Sequence, residues 1–187
     1  MSNAFQIASA LCLSILFCSV GLSRPEEEPP WGQSVDGLQM SVTSTGEHVQ
    51  VAFRNASDHD LTLNLGITLA NGKAQLPDKI KLALTDAQGN TRVFRFFDRR
   101  YPGIAGRADP YVVPLPAGSI YTLQFTFDQF CCTETGEYGI HLLPGTNGLT
   151  ARFDGSRANS MNRDMMGVSL MSFWLGTVES NTLSVQR

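Results

Sequence analysis

Two adjacent cysteines, Cys131 and Cys132, carry the most reactive side chains downstream of the first 23 residues. Neighbouring residues cannot staple two separated strands of one chain. In an oxidising compartment such a pair closes a strained ring, bridges two chains or stays reduced. The leading expectation is the ring, a vicinal disulfide that constrains a loop. Thiol–disulfide catalysis would call for a Cys-x-x-Cys pair or a neighbouring base, and neither stands next to them. The three histidines, His48, His59 and His141, fall in no metal-binding spacing. Asp58-His59-Asp60 offers three possible oxygen or nitrogen ligands, but consecutive turn residues point in different directions, so a solvated turn is expected. No metal or cofactor is expected.

The other local concentration of chemistry is cationic and aromatic. Arg92, Arg95, Arg99, Arg100 and Arg107 lie around Phe94, Phe96, Phe97 and Tyr101. Arginine beside aromatic rings is typical of binding surfaces and also of single-stranded nucleic-acid sites. With 14 basic and 17 acidic residues, the chain has no broad attraction for nucleic acid. The expected binding residues are therefore Arg92, Arg95, Arg99, Arg100, Tyr101 and Arg107, with a protein or carbohydrate ligand. The plainer reading is a strand with outward arginines followed by a loop whose arginines pair with acids. Asn55-Ala56-Ser57 has the form of a glycosylation acceptor in a surface turn. There is no Gly-x-Ser-x-Gly elbow, phosphate-binding loop or dinucleotide fingerprint, so a non-catalytic role is expected.

These residues must be positioned by strands. Residues 1–23 read as a signal peptide, since 5–22 hold no charged side chain and Ser19, Gly21 and Ser23 offer small residues for cleavage. No Lys or Arg precedes the apolar run, and an uncleaved membrane anchor is the alternative. Residues 24–30 (RPEEEPP) are a charged, proline-rich spacer, and 31–187 form one domain. Alternation of apolar and polar residues predicts strands over 37–43, 49–54, 61–69, 80–84 and 91–97. The first two should form a hairpin with a longer loop. Pro114 puts 111–115 at an edge. In 120–127, Tyr121, Leu123, Phe125 and Phe127 share one face. A partner is predicted over 137–143, with Tyr138, Ile140 and Leu142 on one face behind Gly136. Residues 70–78, 98–110 and 155–167 read as loops, and 149–153, 168–175 and 182–185 as further strands. No helical period of 3.6 persists outside the leader. The fold class expected is an all-β sandwich of about eight to ten short antiparallel strands, with a barrel as the alternative.

The turn Leu115-Pro116-Ala117-Gly118-Ser119, the following Tyr121-Thr122-Leu123 and the later Gly136-Glu137-Tyr138 resemble a pattern in immunoglobulin-like β-sandwich modules of secreted bacterial proteins. Trp31-Gly32, Gly37-Leu38 and the closing stretch from Trp174 to Val185 also look like parts of such uncharacterised proteins. The resemblance implies a fold and an extracytoplasmic address, secreted or periplasmic, and carries no functional residues. The Cys, Trp and Cys spacing of antibody domains is absent. The functional expectation is a secreted binding or structural module. The alternatives are an extracytoplasmic enzyme whose loop residues converge only in space, and a subunit of a surface assembly whose edge strands pair with a neighbour.

Overall fold

The computed structural model describes residues 29–69, 74–99, 108–156 and 172–186. The signal segment, most of the spacer, and Arg100, Tyr101 and Arg107 lie outside the described residues, as does most of the loop expected over 155–167. Among the described residues the protein is all-β, with eleven strands and one 3-10 turn, and no helix is long and apolar enough to cross a membrane.

The strands form three antiparallel sheets. In the first, β1 (Leu38–Thr45) pairs with β2 (His48–Asn55), and β2 pairs with β8 (Ile120–Thr126). The second has the order β11-β10-β5-β6-β9, built from β5 (Ile80–Thr85), β6 (Thr91–Phe96), β9 (Phe130–Cys132), β10 (Thr146–Asp154) and β11 (Thr177–Gln186). The third is β4 (Ala74–Leu76), β3 (Leu61–Leu69) and β7 (Ala108–Leu115), with β7 at its edge as Pro114 requires.

The first two sheets face each other as a sandwich. Alternation turns Val49, Val51 and Phe53 of β2 inward against Leu149, Ala151 and Phe153 of β10, all fully buried. Phe53 meets Phe153 edge-on with centroids 5.4 Å apart. Phe125 of β8 packs on Phe96 at 5.6 Å and on Phe130 at 5.4 Å. Each such ring contributes roughly 1.5–3 kcal/mol on burial, so these aromatic pairs hold the two layers in register. The third sheet is tied to the first by Tyr111, whose hydroxyl lies 2.6 Å from that of Tyr121. Burial, and then this bond, hold the Tyr111 phenol well above its ordinary pKa.

The edge of β1 is finished by side chain and backbone. Asn181, at an irregularity in β11, accepts from Val42 N at 2.9 Å and donates to Val42 O at 3.2 Å. Gly32 N donates to Met40 O at 2.8 Å. A Cβ on Gly32 would lie 2.1 Å from the carbonyl oxygen of Glu179, so only glycine lets the entering segment slot between β1 and β11. Gly32→Ala should therefore lower stability by about 1–3 kcal/mol, read as a lower urea midpoint. An unchanged midpoint would mean that this segment is not docked.

Several expectations need correction. Residues 137–143 are not a strand. Gly136 and Gly139 take φ of 74° and 84°, which breaks the extended run, and only Tyr138 bridges, to Cys131. Tyr138 is exposed while Ile140 is buried, so the two do not share a face. The hairpin of β1 and β2 closes through Gly46 and Glu47 alone, with Thr45 opposite His48, a tighter turn than predicted. Residues 74–76 and 108–110, read as loop, are paired strand. Of the strand read over 168–175, residues 172–175 are irregular and the rest lies outside the described residues. The Asn55-Ala56-Ser57 turn does not present a glycosylation acceptor, because Asn55 is fully buried and its amide nitrogen is committed to His59 O and Leu115 O.

Candidate functional site

Strand β6 splits the arginine cluster. Its inward positions are Arg92, Phe94 and Phe96, and its outward ones are Val93 and Arg95, with Phe97 continuing outward beyond the strand. Arg92 is half-buried. Its guanidinium covers Phe94 at 5.6 Å and donates to His141 O at 2.9 Å, so it straps down the segment after Gly139. Arg95 and Arg99 are exposed. Arg99 stacks over the Tyr138 ring at 4.3 Å, and Phe97 packs on the same ring at 5.1 Å. Of the six residues expected to bind, the structure thus brings Arg95 and Arg99 to one face and sends Arg92 to the other. Arg100, Tyr101 and Arg107 lie outside the described residues.

Pairing extends this face across the sheet. Arg95 is opposite Lys81, Lys81 is opposite Arg152, and Arg152 is opposite Glu179. In the other direction Arg95 is opposite Cys131, which bridges to Tyr138. One lateral row therefore reads Glu179, Arg152, Lys81, Arg95, Cys131, Tyr138. Alternation along β5 turns Lys81 outward, but nothing local shows that Arg152 lies beside it, because β5 and β10 are far apart in the chain. Tyr138 was misplaced with its strand.

A groove of about 490 Å³ runs along the Arg152 and Lys81 part of the row, lined also by Lys79, Ala83, Val93, Thr150, Asp154 and Glu179. Arg152 and Glu179 are 3.6 Å apart and well exposed, a pair of small energetic weight. Partial burial pulls the Lys79 ammonium below the ordinary lysine value, and Asp78 and Asp154 pull it back up. A second cleft, of about 340 Å³, lies where Arg99 and Asp98 meet Thr126, Asp128 and Gln129.

The cysteines do not form the expected ring. Both are free and buried. Cys132 belongs to the core cluster and Cys131 does not, because neighbours on a strand point to opposite faces. A bridge between them would need β9 to abandon its extended backbone and its pairing with β6. Hydrogen bonds from the Thr135 side chain, then from the backbone of Thr135 and Glu134, lower the Cys132 thiol pKa, and burial opposes them. Asp58 and His59 are an exposed contact at 3.1 Å, and Asp60 accepts from Ala117 N at 3.0 Å, which is turn chemistry. Among the described residues no group of three or more His, Cys, Asp or Glu side chains converges to hold a metal ion.

Comparison with known protein families, with curated proteins and with solved structures gives no match. The functional reading therefore rests on the site.

Proposed function

We propose that this chain is a secreted, non-catalytic binding module that uses the outer face of its five-stranded sheet. The observation that carries the reading is the exposed Tyr138 ring packed by Arg99 and Phe97, with Arg95 on the same face beyond Cys131. An aromatic ring fixed by neighbours loses little freedom on binding, and arginine next to it adds directional donors. Arg95 stands on β6 and Tyr138 on an adjoining bridge, with Phe97 and Arg99 just past the end of β6, so the framework presents Arg95 and Tyr138 with little adjustment. The apolar, uncharged leader and the short motifs shared with secreted immunoglobulin-like modules support the extracytoplasmic address.

The test is capture of ligand by the exported chain from a panel of polysaccharides and from the envelope fraction of its source cells. Arg99→Ala combined with Tyr138→Ala should reduce capture by about tenfold or more. Stability should move by only about 0.5–1 kcal/mol, the range of an exposed cation–π contact. Undiminished capture would remove the site.

A further inference from the structure

We infer that the row Arg152–Lys81–Arg95 binds a linear acidic polysaccharide lying across β10, β5 and β6. The inference rests on the reading of this face as a binding surface and specifies its ligand.

The row breaks a local rule. Like charges directly opposite on neighbouring strands repel, yet Arg152 faces Lys81 and Lys81 faces Arg95. Glu179 offsets Arg152 at one end. Among the described residues, Lys81 and Arg95 make no hydrogen bond or ion pair. A repulsion left uncompensated inside a fold points to compensation from outside it.

The spacing selects an extended ligand. Adjacent strands lie roughly 4.8 Å apart, so three cations abreast span roughly 10 Å. That suits a chain with anionic groups along its length better than one small anion. The groove beneath has a short apolar floor, Ala83 and Val93, against which a sugar ring can lie. Hydroxyls flank it: Thr150 and Thr182 lie 3.2 Å apart on the row next to Arg152. Asp154 and Glu179 in the same groove can accept hydrogen bonds from sugar hydroxyls. They would repel the dense phosphates of a nucleic acid more than a sugar chain whose carboxylates are interspersed with hydroxyls. A polymer bearing both carboxylates and hydroxyls meets every group in the groove with a complementary one. At the far end of the row Arg99, held over the Tyr138 ring, adds a further cation.

The test measures binding of the exported chain to polygalacturonate, to its methyl ester and to a single-stranded oligodeoxynucleotide. Polygalacturonate should bind, the uncharged ester at least about tenfold more weakly, and raised salt should weaken the interaction. Lys81→Glu and Arg95→Glu should each lower affinity at least about tenfold with the fold intact. Lys81→Gln should weaken binding while slightly raising the unfolding midpoint, since it relieves repulsion that a purely structural residue would not carry. Equal binding of acid and ester, full binding by Lys81→Glu, tighter binding of the oligonucleotide, or no binding of polygalacturonate would each overturn the inference. If polygalacturonate goes unbound while Arg99→Ala with Tyr138→Ala still abolishes capture of envelope material, the face remains a binding surface and only its acidic ligand is wrong. If that double variant is silent as well, the binding-module reading fails with it.

Discussion

Asn55→Asp should lower the unfolding free energy by about 3–5 kcal/mol, the range seen when a buried charge is left without a partner. Asn55 is fully buried at the end of β2 and uses its whole side chain. The amide nitrogen donates to His59 O at 2.7 Å and to Leu115 O at 2.9 Å. The amide oxygen accepts from Ser57 N at 3.0 Å and Ser57 Oγ at 2.6 Å. Its backbone joins the turn before β8, donating to Ser119 O and accepting from Gly118 N, each at 3.0 Å. One residue thus ties β2 to the end of β7 and to the 116–119 turn. An aspartate has the same shape but no donor, so two carbonyl oxygens would face an anion away from water. Asn55→Ala removes the charge problem but leaves those carbonyls unsatisfied, and should cost about 1–3 kcal/mol. The order Asn > Ala > Asp in urea midpoint checks the account. An aspartate variant within about 1 kcal/mol of the parent would show that the amide is not the knot described.

Trp174→Ala should cost a comparable amount, about 3–5 kcal/mol. Residues 172–176 form no strand, yet Trp174 is nearly covered, stacked on Phe153 with centroids 5.7 Å apart. Its backbone N donates to Thr62 O at 2.8 Å and its indole Nε1 to Asp36 O at 3.3 Å. Trp174 thereby joins β3 through its backbone, and the turn before β1 and the core of the sandwich through its ring. Two glycines make room for it. A Cβ on Gly155 would meet the Trp174 carbonyl at 2.8 Å and the ring at 2.9 Å, and one on Gly176 would meet the ring at 3.0 Å. Truncation would leave a ring-sized cavity bounded by backbone, which collapses poorly. Trp174→Phe should recover part of the loss, since it refills most of the volume and gives up only the indole donor. Thermal unfolding followed by circular dichroism measures both. A small effect of Trp174→Ala would mean that the segment does not close the core.

The all-β class was legible because each major strand carries its own period of two. Leu61, Leu63 and Leu65, or Ile80, Leu82 and Leu84, state their buried face in a few residues. The runs 80–84 and 91–97 join as a hairpin through the turn at Asp86, whose carboxylate accepts from Gln88 N and Asn90 N. That bonding holds the Asp86 carboxyl below its usual pKa, the Asn90 side chain contributing most. The error at 137–143 came from reading the same alternation without weighing Gly139, whose positive φ reverses which side the following residues face. The irregular course of Trp174 was missed for a similar reason: its apolar neighbours mimic a strand, while its place is set by contacts from Asp36, Thr62 and Phe153.

Of the candidate site, Arg95 and Arg99 stand out in the sequence by local density alone. Arg92 has the same density around it but lies on the other face, because closeness in sequence ignores the alternation of faces along β6. The row through Lys81 and Arg152 depends on long-range pairing of β5 with β10, which no local pattern encodes. Asn55 was misread from its sequon, since Asn-x-Ser describes a glycosylation signal and a buried turn-forming amide equally well.

The most direct test of the binding face is a map of backbone amide chemical shifts of the exported chain during titration with polygalacturonate. The account predicts that the perturbed amides cluster around Lys81, Arg95, Arg152 and Tyr138, with Arg92 and the third sheet silent. Perturbations centred on the third sheet, or spread evenly over the surface, would contradict it.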